Sequence, residues 1–286
     1  MYCSPSTVEL RVITFNGNRC VAERLISSCM CRLLGLVSKV ATTIADGVGE
    51  DFSQFANLSC YEHGDGWGVT LRDGDEIIYD KCEKVAFGDV EFDRLTQIEL
   101  CDSAIVHLRW ATLTLAVTYV NTHPFSAFDA SFAHNGSIQE TEGFLKYLDD
   151  SHVIEGNTDS ERYFHLVASL GKENDGEISF VDGFQRAINL IEEEYEYSSL
   201  NAMCLTKDCL YIVSYHDKSR IDNRFGQDYY DLSFRRSEGN VVVASSGWPQ
   251  NGWELIPNHT LVAIDRKTLE MTFTHLGVTD SVAVGG

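Results

Sequence analysis

A cysteine directly follows a methionine at Met30-Cys31, heading a short apolar run that ends at Ser38. If chain synthesis began at that methionine and it were then removed, one residue would carry both a thiol and a free α-amine. The thiolate is the nucleophile, and an α-amine of ordinary pKa, about 7.7–8.0, is suited to take the thiol proton near neutrality. The commoner role of a cysteine in such a run is burial as a small hydrophobe. Other side chains carry a similar double reading. Arg109 closes the apolar run Ser103 to Leu108, and its planar fork suits a carboxylate, either a substrate's or that of a structural ion pair. Asp159 falls in the first turn of a helix, where a carboxylate is favourable in any case. Asn135-Gly136 is a turn signal, yet an Asn amide beside a Gly N–H also makes an oxyanion hole. His123 or His134 as a base for Cys31 ranks below the α-amine, which already sits on the nucleophile's own residue. His107, His123 and His134 follow no metal-ligand spacing, and no Gly-x-Ser-x-Gly elbow is present.

Strands and helix ends must position these groups. Met30 to Ser38 reads as a buried strand. Ile44 to Ser59 reads as a short helix with a connecting loop. Gly64-Asp65-Gly66-Trp67-Gly68 precedes a strand rather than a helix and lacks Lys-Ser/Thr, so its glycines serve backbone approach near the nucleophile, not phosphate binding. Val69 to Leu71 and Ile77 to Tyr79 flank Asp73-Gly74 as a hairpin. Val90 to Leu100 is predicted as a helix, Ser103 to Leu108 as a buried strand, and Ser131 to Ile138 as a strand running into an Asn-Gly turn. Phe144, Leu145 and Leu148 mark a short helix. Thr158 and Glu161 form a capping box for a helix that stops at Gly171, and Asp182 to Tyr195 is an amphipathic helix. Strands follow at Ala202–Leu205, Leu210–Tyr215, Val241–Ser245, Leu261–Asp265 and Met271–His275. Strands, two helices and strands again predict one α+β domain, with two sheets facing each other between helical layers.

Composition narrows the function classes. A chain of 286 residues can bury one sizeable core. Its formal charge of −21 argues against a nucleic-acid partner, because that affinity comes from Lys and Arg. No apolar run reaches the roughly 20 residues of a membrane-spanning helix. Nine cysteines without paired spacing favour free thiols in a reducing, cytoplasmic setting and give no zinc-knuckle pattern. Met1 to Cys29 has acids among its arginines and no apolar core of a secretion signal. Residues 1–30 are therefore read as a leader or as a start codon placed too early, and 31–286 as the functional domain. A retained structural extension would instead leave the Cys31 nitrogen acylated.

The order of motifs carries more than any one of them. Met-Cys-Arg-x-x-Gly is followed by Gly-Asp-Gly-Trp-Gly, His-x-Arg-Trp-Ala-Thr, Asn-Thr-His-Pro-Phe, His-Asn-Gly-x-Ile and Thr-Asp-Ser-Glu. This succession resembles the class II glutamine amidotransferase domain of the N-terminal-nucleophile hydrolases, most of all its stand-alone members, which include the γ-glutamyl hydrolase of ergothioneine biosynthesis. The resemblance runs from Cys31 to about the chain's end and is densest up to Glu161. It implies a four-layer αββα sandwich of two mainly antiparallel sheets, with Cys31 at the head of a central strand. It further implies that Cys31 attacks the γ-amide of glutamine or a related γ-glutamyl compound, through a γ-glutamyl thioester, with no cofactor and no metal. Asn135 and Gly136 would hold the oxyanion. Arg109 would clamp the α-carboxylate with help from Thr112, and Asp159 would pair with the α-ammonium. His123 belongs with this substrate-binding set as a buttress. Leu113 departs from the histidine found after the threonine in sugar-phosphate-aminating relatives. The chain as given holds no second region to consume ammonia, so either a separate synthase receives it or the enzyme is a plain hydrolase. A γ-glutamyl hydrolase for a larger metabolite, or a non-catalytic binding module never processed at Cys31, are the alternatives.

Overall fold

The computed structural model describes residues 31–60, 63–111, 116–221 and 225–277. The segment 1–30, read above as a leader or misplaced start, and the site candidate Thr112 with its neighbour Leu113 lie outside them. The chain runs through β1 (Arg32–Thr42), α1 (Ile44–Val48), α2 (Asp51–Asn57), β2 (Trp67–Asp73), β3 (Glu76–Cys82), α3 (Val90–Gln97) and β4 (Cys101–Leu108). It continues through β5 (Phe125–Ala127), β6 (Ala130–Ile138), α4 (Asp159–Gly171), α5 (Phe180–Glu194), β7 (Tyr197–Leu205) and β8 (Cys209–Ser214). Five strands close the described chain: β9 (Leu232–Arg236), β10 (Asn240–Ser245), β11 (Glu254–Leu255), β12 (Thr260–Asp265) and β13 (Met271–His275).

One sheet runs β11-β9-β10-β1-β4-β2-β3 and the other β13-β12-β8-β7-β6-β5, and the pairings are antiparallel. Strand β1 is central because both its faces are apolar. Leu33 and Val37 pack between the sheets against Met203, Leu205 and Ile212, while Leu34 and Leu36 pack outward with Phe52, Phe55 and Phe92 of α1–α3's layer. A run buried on both sides is nearly continuous in hydrophobicity rather than alternating. On the far side, Phe164, Val167, Phe184, Ile188 and Ile191 of α4 and α5 cover the outer face of the second sheet. The layers are therefore helix, sheet, sheet, helix, and the α+β sandwich expected from the pattern of elements is the one observed.

Several local expectations need correction. Strand β6 runs straight through Asn135-Gly136, which pair with Asn201 and Leu200 of β7, so no turn forms there. The helical stretch after Ile44 is two short α-helices and a 3-10 turn, Leu58–Cys60. Phe144 and Leu145 lie in a 3-10 helix, Thr141–Tyr147, and α3 ends at Gln97. Helix α5 begins two residues early, because Ser179 accepts the Asp182 amide as its N-cap. The capping box of α4 is half made. Thr158 accepts from Glu161 N at 3.1 Å, but the Glu161 carboxylate turns to the amides of Glu155 and Gly156, each at 2.8 Å.

Candidate active site

Antiparallel pairing brings Cys31 to Arg109. The ladder between β1 and β4 pairs Arg32 with Leu108. The next residue outward on each strand is Cys31 on one and Arg109 on the other. Arg109 is buried, and its backbone is held by two bonds to the glycine-rich loop: Asp65 N donates to Arg109 O at 3.1 Å, and Arg109 N donates to Gly66 O at 2.8 Å. Its guanidinium donates to the carbonyls of Asp65, at 3.5 Å, and Ala116, at 3.3 Å. Among the described residues it forms no carboxylate ion pair, so the structural alternative raised by the sequence is not what holds it. Burial draws its pKa below the usual guanidinium range, opposed by the Cys31 thiolate and by Asp65.

Asp65 has a second task, which motif reasoning missed: its Oδ2 accepts from Ala111 N at 2.9 Å and so fixes the Arg109–Ala111 segment. The close approach made by this glycine-rich loop is not to the nucleophile. A Cβ on Gly68 would lie 1.9 Å from His123 O, so the missing side chain admits the His123–Pro124 backbone onto β2.

Asp159, at the first position of α4, ties that helix to the second sheet. Its Oδ2 accepts from Ile138 N at 2.8 Å and its Oδ1 from Ser160 N at 2.9 Å. Ser160 Oγ lies 3.0 Å from His134 Nδ1, and His134 Nε2 lies 2.9 Å from Ser199 O. A carbonyl only accepts, so Nε2 carries the proton and Nδ1 accepts from the serine. His134 is thus a neutral strut between α4 and β7, and its ring has no nitrogen left to act as a base. Burial holds it below the usual histidine range, against the opposing pull of Asp159.

On the same strand, Asn135 is fully buried and, among the described residues, neither Oδ1 nor Nδ2 has a hydrogen-bond partner. Buried amides are almost always paired, so an orphan one calls for an explanation. Gly136 is demanded by space, since a Cβ there would sit 1.8 Å from Ser199 O.

His123 and His107 are in ring contact, tilted by 34° with centroids 4.1 Å apart, and His123 also meets Phe125 edge-on. Burial drives both well below the usual histidine pKa, with the Arg109 charge adding to the effect on each. They are neutral at physiological pH.

The Cys31 thiol is half-buried, with Sγ 3.8 Å from Trp110 O. Burial pushes its pKa up to about 11, while the backbone at Trp110, Arg109 and Arg32 pull it down and Asp159 pushes it up. The thiol therefore feels two cations, Arg109 just past β4 and Arg32 on β1, and one anion, Asp159 at the start of α4. Beyond the residues singled out from sequence, Asp65, Trp110, Ser160 and Arg32 contribute. All four stand inside motifs of the succession, Gly-Asp-Gly-Trp-Gly, Arg-Trp-Ala-Thr, Thr-Asp-Ser-Glu and Met-Cys-Arg-x-x-Gly, which was the available signal.

Comparison with known proteins places this geometry. Residues 30–275 match the family described as glutamine amidotransferases class-II. A glutamine–fructose-6-phosphate aminotransferase (isomerizing) of Streptococcus pyogenes serotype M6 is 31% identical over 132 residues, covering 44% of this chain and 20% of that protein. Its counterpart from Streptococcus mutans is 29% identical over 132 residues, with the same coverage. The chain thus spans about 20% of the length of these curated relatives. Among solved structures, a glutamine aminotransferase class-II domain protein from Silicibacter pomeroyi superposes with a TM-score of 0.60 at 17% identity, covering 87% of this chain and 100% of that one. The glutamine phosphoribosylpyrophosphate amidotransferase of B. subtilis superposes with a TM-score of 0.57 at 15% identity, covering 86% and 49%. These likenesses show a shared fold.

Proposed function

The chain belongs to the class II glutamine amidotransferases, and from that premise we propose that it hydrolyses the γ-amide of glutamine with Cys31 as nucleophile. The observation that carries the reading is the register that sets Cys31, heading β1, beside Arg109, ending β4, with Asp159 at the start of α4 bonded to the strand that carries Asn135. An amino-acid head group needs one cation, one anion and a reachable amide carbon. Arg109 receives the α-carboxylate and Asp159 the α-ammonium, with Thr112 assigned to the carboxylate end and His123 to a buttressing role.

Once Cys31 is the first residue, its α-amine takes the thiol proton. The thiolate attacks the amide carbon, forming the C–S bond as the carbonyl electrons move onto oxygen. The orphan Asn135 amide and the Gly136 N–H receive that oxyanion, giving Asn135 the partner it otherwise lacks. Collapse breaks the C–N bond, and ammonia leaves with the proton returned by the α-ammonium. Water then gives a proton to the amine, adds to the thioester and releases glutamate, restoring the thiol. Ammonia passes to solvent or to a separate acceptor enzyme.

A cavity of about 730 Å³ opens beside Ser137, the residue after Gly136, and is lined by Tyr195, Tyr197, Ser198 and Arg220. Its lining includes none of Cys31, Arg109, Asn135 and Asp159, so it does not argue for a larger substrate at the nucleophile. Among the described residues no helix is long and apolar enough to cross a membrane.

The test is glutaminase activity and intact mass on protein isolated from its native host. We expect an N-terminus at Cys31, glutamate released from glutamine, and no release by Cys31→Ala. Activity retained by Cys31→Ala overturns the assignment, and an inactive protein beginning at Met1 makes it a binding module.

A further inference from the structure

We propose that Arg32 is a positioning residue for Cys31, a buried cation whose missing counter-charge is the thiolate that forms next to it. The inference rests on the reading of Cys31 as nucleophile. Arg32 is 3% exposed, yet among the described residues its guanidinium forms no ion pair with a carboxylate. A buried charge left without an opposite charge is strongly unfavourable, and chains keep one only where something else compensates.

The surroundings are built to hold this cation. NH1 donates to the Cys31 carbonyl at 3.2 Å, and the guanidinium carbon lies 4.6 Å from the centre of the Tyr229 ring. Gly247 makes room on another side: a Cβ there would sit 2.9 Å from Arg32 Nε, and that nitrogen has no hydrogen-bond partner among the described residues. Carbonyl and aromatic face hold the guanidinium in place without neutralising it.

Two consequences follow for Cys31. The bond to its carbonyl fixes the peptide plane of the residue that must present both thiol and amine. The uncompensated positive charge favours the thiolate and disfavours a second positive charge on the α-amine, so the amine stays available as base. Arg109 adds to the same field but is engaged by the substrate carboxylate in the proposed complex, whereas Arg32 has no part in the proposed substrate contacts. Its charge remains available throughout the cycle.

The experiment is alkylation of Cys31 by iodoacetamide in the full chain, followed by peptide mass analysis from pH 6 to 10. The half-buried Cys60, Cys82 and Cys209 serve as internal controls. Arg32→Gln is expected to slow Cys31 alkylation at pH 8 by about fivefold or more and to move its pH midpoint upward. The controls keep their rates, and Arg32→Lys, which preserves the charge, stays within about twofold of wild type. Equal rates in wild type and Arg32→Gln overturn the proposal, as does Arg32→Lys slowing as far as Arg32→Gln. Should Arg32→Gln not fold, Tyr229→Leu removes the ring under the cation and is expected to slow Cys31 in the same direction; an unchanged rate overturns the proposal. A Cys31→Ala variant with full glutaminase activity defeats the nucleophile reading itself. An unresponsive alkylation rate beside an inactive Cys31→Ala defeats only the role of Arg32.

Discussion

The Asp159 carboxylate accepts the Ile138 amide proton at 2.8 Å, which joins the first turn of α4 to the strand two residues beyond Gly136. One side chain thus sets the distance between the helix and the strand carrying Asn135, and its charge is felt at the Cys31 thiol. Asp159→Asn keeps an oxygen for Ile138 N and removes the charge. We expect KM for glutamine to rise about tenfold or more, the loss of roughly 1.4 kcal/mol of binding, with kcat changed far less. Steady-state kinetics decide it, and an unchanged KM would remove Asp159 from ammonium recognition.

Asn135 separates catalysis from stability. Its amide is buried and unpaired in the free protein, so Asn135→Ala removes an unsatisfied group and changes thermal stability little. The transition state loses a donor, and kcat is expected to fall by about 10²–10³. A large drop in Tm with normal kcat is the outcome that contradicts this assignment.

What the sequence made legible was what local chemistry controls. The two-sided apolarity of Leu33 to Val37, the Asp73-Gly74 hairpin and the faces of α4 and α5 all appear in the fold, because burial pattern and turn residues set them. The pairing of Cys31 with Arg109 was reachable only through motif order. It depends on the antiparallel register of β1 with β4, fixed by contacts some 70 residues apart. Asn135-Gly136 misled because an Asn-Gly pair is a turn signal by itself, whereas pairing to β7 keeps it extended. Strands β9 and β11 escaped notice, since Leu232–Arg236 and Glu254–Leu255 are short and largely polar edge-side segments. The work of Asp65 was hidden for a different reason: it is done on the Ala111 amide, and no spacing rule encodes a bond across 46 positions.

Gly68 tests the geometry beneath the site. A methyl group placed there meets the His123 carbonyl at 1.9 Å, and backbone, unlike a flexible side-chain end, has little room to yield. Gly68→Ala is expected to destabilise the fold by about 3 kcal/mol, at the upper end for overpacking. That corresponds to a Tm lower by roughly 6–12 °C in a domain of this size. A Tm within about 2 °C of wild type would show that the His123–Pro124 segment does not pack as described.

Buried neutral histidines predict how stability responds to acid. His165 and His216 are held at about 4, mainly by burial, against an ordinary value of 6.5. His165 Nδ1 also faces His152 Nδ1 at 3.0 Å, so protonating both rings would set two cations against each other. In the unfolded chain each ring takes up a proton near pH 6.5, while in the folded chain it does not until about pH 4. The unfolded state therefore binds more protons throughout that window. Stability is fully present above about pH 6.5 and declines as the pH falls toward 4, by up to roughly 1.4 kcal/mol per pH unit for each histidine. His165→Phe keeps a ring against Phe128 and Phe164 but cannot take up the proton, so its chemical-denaturation stability should fall less steeply than wild type between pH 6.5 and 4.5. Parallel slopes for the two proteins would mean that His165 is charged in the folded state and that its burial does not exclude the proton.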